Sequence, residues 1–166
     1  TIRELSMMTS SSRQGQSDKN VPLVCMGWCL GAQPIIEMTR LMSTSMSPSL
    51  TVPFHGVFRR PDHKNESADI KEGHVSTTLH ASHRMLICNG ENDPFVSSED
   101  LTTAKKRFER LGYNVQIKNF EGAKHGFTNP AQAFNPNDAF DYNEQAAKES
   151  WTVATNFLRG ALNLVP

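Results

Sequence analysis

VPLVCMGWCLGA, residues 21–32, decides the fold. Its first part, VPLVCMGW (21–28), is a continuous apolar run with no polar alternation. That pattern predicts a strand buried on both faces, the kind that parallel sheets use. From Leu30 to about Met46, residues Ile35, Ile36, Met38, Leu41 and Met42 fall at helical spacing, and Pro34 sits in the first turn, where a missing N–H costs little. The junction Gly27-Trp28-Cys29-Leu30-Gly31 therefore reads G-x-C-x-G at a strand-to-helix turn, the form of a nucleophile elbow. Glycines two before and two after the central residue remove side chains that would clash where strand and helix pass closely. The thiol of Cys29 would stand at a helix N-terminus, whose dipole favours an anionic sulfur. The backbone N–H of Leu30 would face a developing oxyanion. The alternative is a buried core cysteine beside ordinary turn glycines.

Further strands are predicted at Leu50–Phe54, at Arg84–Cys88 (RMLIC) and over 114–120, where Val115 and Ile117 alternate with Gln116 and Lys118 in an edge-strand pattern. Ser97-Ser98-Glu99-Asp100 supplies a cap and first-turn acids. Leu101, Ala104, Phe108 and Leu111 then form one face of a helix that Gly112 stops. A loop rich in Asn and Pro leads to a last helix over about 143–163, with Ala147, Trp151, Ala154, Leu158, Ala161 and Leu162 on one side. Residues 59–83 are polar and irregular, with one weakly patterned helix. Residues 1–20 are Ser-rich and poor in acids, and read as a helix tail or linker; an organellar leader has a similar composition. Strands alternating with helices imply an α/β fold with a parallel sheet of about four strands. In such sheets chemistry gathers at the carboxyl ends of the strands.

Three residues there form a set. Cys29 follows the first strand. Asp93, in NGENDP, follows the third, with Glu91 as the rival acid. His125, in EGAKHGF, follows the fourth. A nucleophile, an acid able to orient a histidine, and a general base in that chain order match the order of α/β-hydrolases. Each residue alone would be an ordinary turn or loop residue; the coincidence of all three carries the reading. His55, after the second strand, is a candidate to line the site, with a plain loop residue as the alternative. His74, His80, His83 and Cys88 cluster in sequence without completing a zinc spacing, so no metal is expected. Lys105-Lys106-Arg107 with Arg110 reads as the solvated face of its helix. Cys25, four residues before Cys29 along a strand, lies about 13 Å from it, too far for a disulfide.

The balance of the chain excludes other classes. It has 166 residues, with 17 basic and 17 acidic side chains. A zero balance argues against nucleic-acid binding and against attachment to an anionic membrane. No apolar run approaches the length of a membrane span. Three cysteines do not make a disulfide scaffold, and their odd number leaves one thiol free in a monomer.

MGWCLGA (26–32), LICNGENDPFV (86–96) and FEGAKHGFTNP (120–130) together resemble the dienelactone hydrolase family; FHG (54–56) and the last helix fit as well. The resemblance covers about residues 20–160. It implies Cys29, Asp93 and His125 as a catalytic triad and Leu30 as an oxyanion donor, with Trp28, His55, Phe127 and Asn129 as pocket candidates. It implies hydrolysis of small ester, thioester or lactone substrates through an acyl-thioester, without metal or organic cofactor. Trp28, Leu30 and Ala32 depart from the family's usual elbow, G-Y-C-F-G-G. Asn129 stands where bacterial members carry a carboxylate-binding arginine. The family's first strands precede its elbow strand, so residues 21–166 read as the C-terminal portion of a hydrolase domain. The strand over 21–28 would then be an open edge able to self-associate. A cytoplasmic location is expected. A non-catalytic binding protein and a thiol redox sensor are the rival classes.

Overall fold

The computed structural model describes residues 22–41, 48–58 and 83–164. Among them four parallel strands form one sheet in the order β1-β2-β3-β4. Their ranges are β1 Val24–Trp28, β2 Leu50–Phe54, β3 Arg84–Gly90 and β4 Asn114–Phe120. Helix α1 (Ala32–Leu41) follows β1, α2 (Ser98–Arg110) follows β3 and α3 (Glu144–Ala161) follows β4. This is the α/β architecture that the alternation of apolar runs predicts. The weak helix within 59–83, the tail over 1–20 and the end of the first helix at 42–46 fall outside the described residues.

Strand β3 shows how the layers are built. Met85 and Ile87 enter one core cluster with Ala32, Ile36, Leu101, Ala104 and Phe108. Leu86 and Cys88 enter the other, with Phe54, Phe120, Phe127, Ala146 and Ala154. Successive side chains of a strand point to opposite faces, so α1 and α2 cover one face of the sheet and α3 the other. Full burial of each large apolar side chain contributes about 1.5–3 kcal/mol. Helix α2 starts at a reciprocal cap: Ser97 Oγ accepts from the Asp100 N–H at 3.1 Å, and the Asp100 carboxylate accepts from the Ser97 N–H at 2.9 Å.

Three expectations change. First, β1 is not buried on both faces. Val24, Cys25 and Met26 are half-buried and Trp28 is exposed, because β2 is the only strand paired with β1 among the described residues. The strand buried throughout is β2, despite its Thr51 and Pro53. Its pairing with β3 skips Val52 and Pro53, as expected where a proline offers no N–H to the ladder. Second, the first helix does not begin at Leu30: Cys29–Gly31 form a 3-10 turn and α1 starts at Ala32. Third, the inner face of α3 keeps the expected Ala154 and Leu158 but is otherwise shifted. Ala146, Ser150 and Ala154 face the sheet while Trp151 lies exposed. Small residues let this helix approach the sheet closely, a preference that apolar periodicity weighted by side-chain size misses.

Candidate active site

The carboxyl ends of the four strands converge on one cluster. Cys29 directly follows β1 and holds a left-handed backbone, φ 50°. His55 directly follows β2, also left-handed at φ 37°. Non-glycine residues adopt such angles rarely and at a cost on the order of 1–3 kcal/mol, and such strain clusters at functional positions. Cys29 Sγ lies 3.1 Å from His125 Nε2. On the far side of the ring, His125 Nδ1 lies 2.7 Å from Asp93 Oδ2. A carboxylate only accepts, so the Nδ1 proton faces Asp93 and Nε2 turns its lone pair toward the thiol.

The supports of these side chains are local. Asp93 Oδ1 accepts from the Phe95 N–H at 2.9 Å, which fixes the carboxylate from its other oxygen. Asp93 is buried, whereas the rival Glu91 is exposed. The acid loop is tied to the histidine loop by the Asn92 N–H donating to the Ala123 carbonyl at 2.9 Å. That junction is tight: a Cβ on Gly90 would stand 2.4 Å from the Ala123 oxygen. Beyond His125, the Asn-rich loop is a chain of side-chain-capped turns. Asn129 Oδ1 accepts from the Ala131 N–H, Asn135 Oδ1 from the Asn137 N–H, and Asn137 Oδ1 from the Ala139 N–H. The Ala139 carbonyl in turn accepts from the His125 N–H.

Aromatic rings enclose the imidazole. Phe95, Phe140 and His55 meet the His125 ring edge to face, with centroids 5.1, 5.3 and 5.2 Å away. Phe95 and Thr128 lie within LICNGENDPFV and FEGAKHGFTNP but carry no role of their own there, and Phe140 lies outside the stretches read for the site. His55 Nε2 lies 2.9 Å from Thr128 Oγ1. Burial, reinforced by the neighbouring His125, pulls the His55 imidazole down to about 4, against the opposing pull of Asp93 and of its own carbonyl. The ordinary value is 6.5. Between these two values the unfolded chain binds more protons than the folded one, so stability rises with pH across the window. The contribution is complete above about 6.5 and is lost as pH falls through about 4. Urea denaturation at pH 8 and pH 5 should show a loss on the order of 2 kcal/mol at the lower pH. His55→Gln should flatten that limb; an unchanged limb would assign the acid sensitivity to other groups.

The remaining candidates divide. Leu30 has an exposed side chain, and as the second residue of the 3-10 turn it presents an N–H for which the turn has no acceptor. Trp28 is partly exposed and stacks on Phe54 at 4.9 Å. Phe127, expected to line a pocket, is instead fully buried in the core beneath the His55 ring. Asn129 is exposed and its side chain caps the 3-10 turn Pro130–Phe134, so it does not join the cluster. Gly27 fits its expected steric role, since a Cβ there would meet Gly31 oxygen at 2.3 Å; at Gly31 a Cβ would meet nothing described within 4 Å. All three cysteines are free thiols. Burial pushes Cys88 up to about 12 and also raises Cys25. Limited alkylation at neutral pH, followed by peptide mapping, should therefore label Cys29 first and Cys88 last. Earlier labelling of Cys25 or Cys88 would contradict the elbow geometry.

A parallel sheet with a strained turn after β1, and with acid and histidine loops after β3 and β4, defines a protein of the α/β-hydrolase class. The chain belongs to the dienelactone hydrolase family, whose sequence profile matches residues 2–162. No curated protein matches it by sequence. Among solved structures it is similar to a dienelactone hydrolase-like promiscuous phosphotriesterase, P91, from metagenomic libraries. The identity is 22% and the TM-score 0.62, over 95% of this chain and 58% of that one. A protein designated m3DLH aligns at 22% identity and TM-score 0.64, over 95% of this chain and 57% of that one. Esterase 2 of Thermogutta terrifontis aligns at 20% identity and TM-score 0.51, over 86% and 57% of the two chains. The chain thus spans under three fifths of the length of these relatives. Among the described residues no helix is long and apolar enough to cross a membrane.

Proposed function

We propose that the chain is a cysteine-dependent hydrolase of small ester, thioester or lactone substrates. One observation carries the reading: the imidazole lies within hydrogen-bond reach of both the thiol and the carboxylate, with Sγ to Nε2 at 3.1 Å and Nδ1 to Oδ2 at 2.7 Å. In this mechanism His125 Nε2 takes the thiol proton and Cys29 attacks the acyl carbon. The carbonyl oxygen becomes an oxyanion at the Leu30 N–H. The intermediate collapses, the leaving alkoxide takes the proton from Nε2, and the acyl group remains on sulfur as a thioester. Water then gives a proton to Nε2 and attacks the thioester, and the acid leaves as the thiol is restored. Asp93 holds the ring and stabilises the imidazolium. Activated esters, thioesters and lactones are the substrates in this reading, because their leaving groups depart without the strong protonation that an amide needs.

The test is acyl trapping. Rapid quenching after addition of p-nitrophenyl acetate should leave one acetyl group on the intact protein, mapped to Cys29. Product release without any adduct at Cys29, under conditions that trap one on a control thiol esterase, would defeat the reading. The chemistry requires a reduced thiol, and we place the protein in the reducing cytoplasm on that ground. A second reading, self-association, is favoured by the outer side of β1, a half-buried strand that pairs only with β2 among the described residues. Size-exclusion chromatography should then show mass rising with concentration; a constant monomer would remove it.

A further inference from the structure

We infer that Cys29, His55 and His125 form a binding site for a borderline-soft divalent cation of the zinc type, and that the cation acts as a reversible block of the thiol. One donor atom from each of the three residues lies within 4.8 Å of the other two. The closest approach, Cys29 Sγ to His125 Nε2, is 3.1 Å. Zinc bonds of about 2.3 Å to sulfur and 2.0–2.1 Å to nitrogen put tetrahedral ligands about 3.3–3.6 Å apart. The cluster therefore needs adjustments of about an ångström. No residue of the hydrolytic mechanism draws on His55, yet it is buried, left-handed in backbone and turned into the same cluster. Its Nδ1 is shut away from solvent without a hydrogen bond of ordinary geometry.

Two further features match a metal centre. Metal-bound histidines almost always have their other nitrogen engaged, commonly by a carboxylate. Asp93 already holds His125 Nδ1 at 2.7 Å, leaving Nε2 to face the cluster. A donor set of one sulfur and two imidazoles, with no carboxylate in it, selects zinc or cobalt over magnesium and calcium. Binding is a proton exchange with no change of oxidation state: the cation bonds to sulfur as the thiol proton is released to solvent, and water fills the fourth position. The metal then occupies both the sulfur and the Nε2 lone pair. The inhibitory consequence rests on the hydrolase reading; the binding itself does not.

The test uses cobalt(II) as the spectroscopic probe on the reduced chain. Titration should give a thiolate-to-cobalt charge-transfer band and tetrahedral d–d bands that saturate at one equivalent, are displaced by zinc and are untouched by magnesium. Cys29→Ala should abolish the charge-transfer band. His55→Gln should weaken binding at least about 100-fold, since loss even of an outer partner of a ligand costs 10–100-fold. Should that variant not fold, wild-type protein still decides. One equivalent of zinc should slow iodoacetamide labelling of Cys29 at least tenfold without slowing that of Cys25, and a chelator should restore it. Absence of the thiolate band, unchanged Cys29 labelling with zinc, or wild-type affinity in a folded His55→Gln would each overturn the site. These readouts need no turnover. An inactive chain that shows the band defeats only the hydrolase reading, and an active one without it defeats only the metal site.

Discussion

His125→Ala is expected to lower kcat/KM toward p-nitrophenyl acetate by about 10³–10⁴-fold while leaving the fold in place. The imidazole has two jobs in the proposed cycle, accepting the thiol proton and then activating water, and a positioned base typically contributes 10²–10⁴-fold. Its ring is held by Asp93 at 2.7 Å and lies 3.1 Å from the sulfur, so no other described side chain substitutes in both contacts. Asp93→Asn should fall by a similar factor, because an amide can present its N–H to Nδ1 and select the wrong tautomer. Residues that act as a unit are not additive, so the double variant should be no worse than the worse single one. Steady-state kinetics together with thermal melts separate loss of chemistry from loss of fold. Activity of His125→Ala within tenfold of wild type would remove the histidine from the mechanism.

Gly27→Ala should be strongly damaging and Gly31→Ala nearly silent, although the G-x-C-x-G pattern treats the two glycines alike. A Cβ at Gly27 would lie 2.3 Å from the Gly31 oxygen, 2.8 Å from the Gly31 carbonyl carbon and 2.7 Å from Ile35 Cδ1. Ile35 can shift its terminal methyl, but the carbonyl belongs to the turn that carries Cys29. The turn must therefore move. Overpacking of this kind costs about 1–3 kcal/mol. Displacing a nucleophile by about 1 Å costs on the order of 10²-fold in rate. At Gly31 no described atom lies within 4 Å of the added carbon, and its φ is not left-handed. A change within about 0.5 kcal/mol is expected there, as for an ordinary surface substitution. Urea denaturation and kinetics on both variants test the asymmetry; equal damage at both positions would mean that other residues press on Gly31.

The elements that sequence reasoning located best are those whose signals are short-range. The cap at Ser97, the face Leu101–Ala104–Phe108 and the alternating strand over 114–120 all follow from periodicity and hydrogen-bonding chemistry within a few residues. On α3, Ala154 and Leu158 pack as the apolar pattern predicts, but what selects Ala146 and Ser150 over Trp151 is the distance to the sheet, which no local pattern records. The same holds for Phe127. The resemblance implies a pocket position for it, but the chain turns after Gly126, whose carbonyl accepts from the Asn129 N–H, and Phe127 packs in the core.

By itself the sequence determined the class of fold, the chain order of nucleophile, acid and histidine, and the family. Each is written in local chemistry: apolar runs that demand a covered parallel sheet, glycine where backbones crowd, and turn residues at strand ends. The tertiary structure alone decided that phenylalanines 95 and 140 enclose the imidazole, and that His55 joins the thiol in one cluster with His125. These contacts link residues 15 to 96 positions apart in the chain. They exist because four parallel strands end on the same side of one sheet, and the loops that leave those ends have no other place to meet.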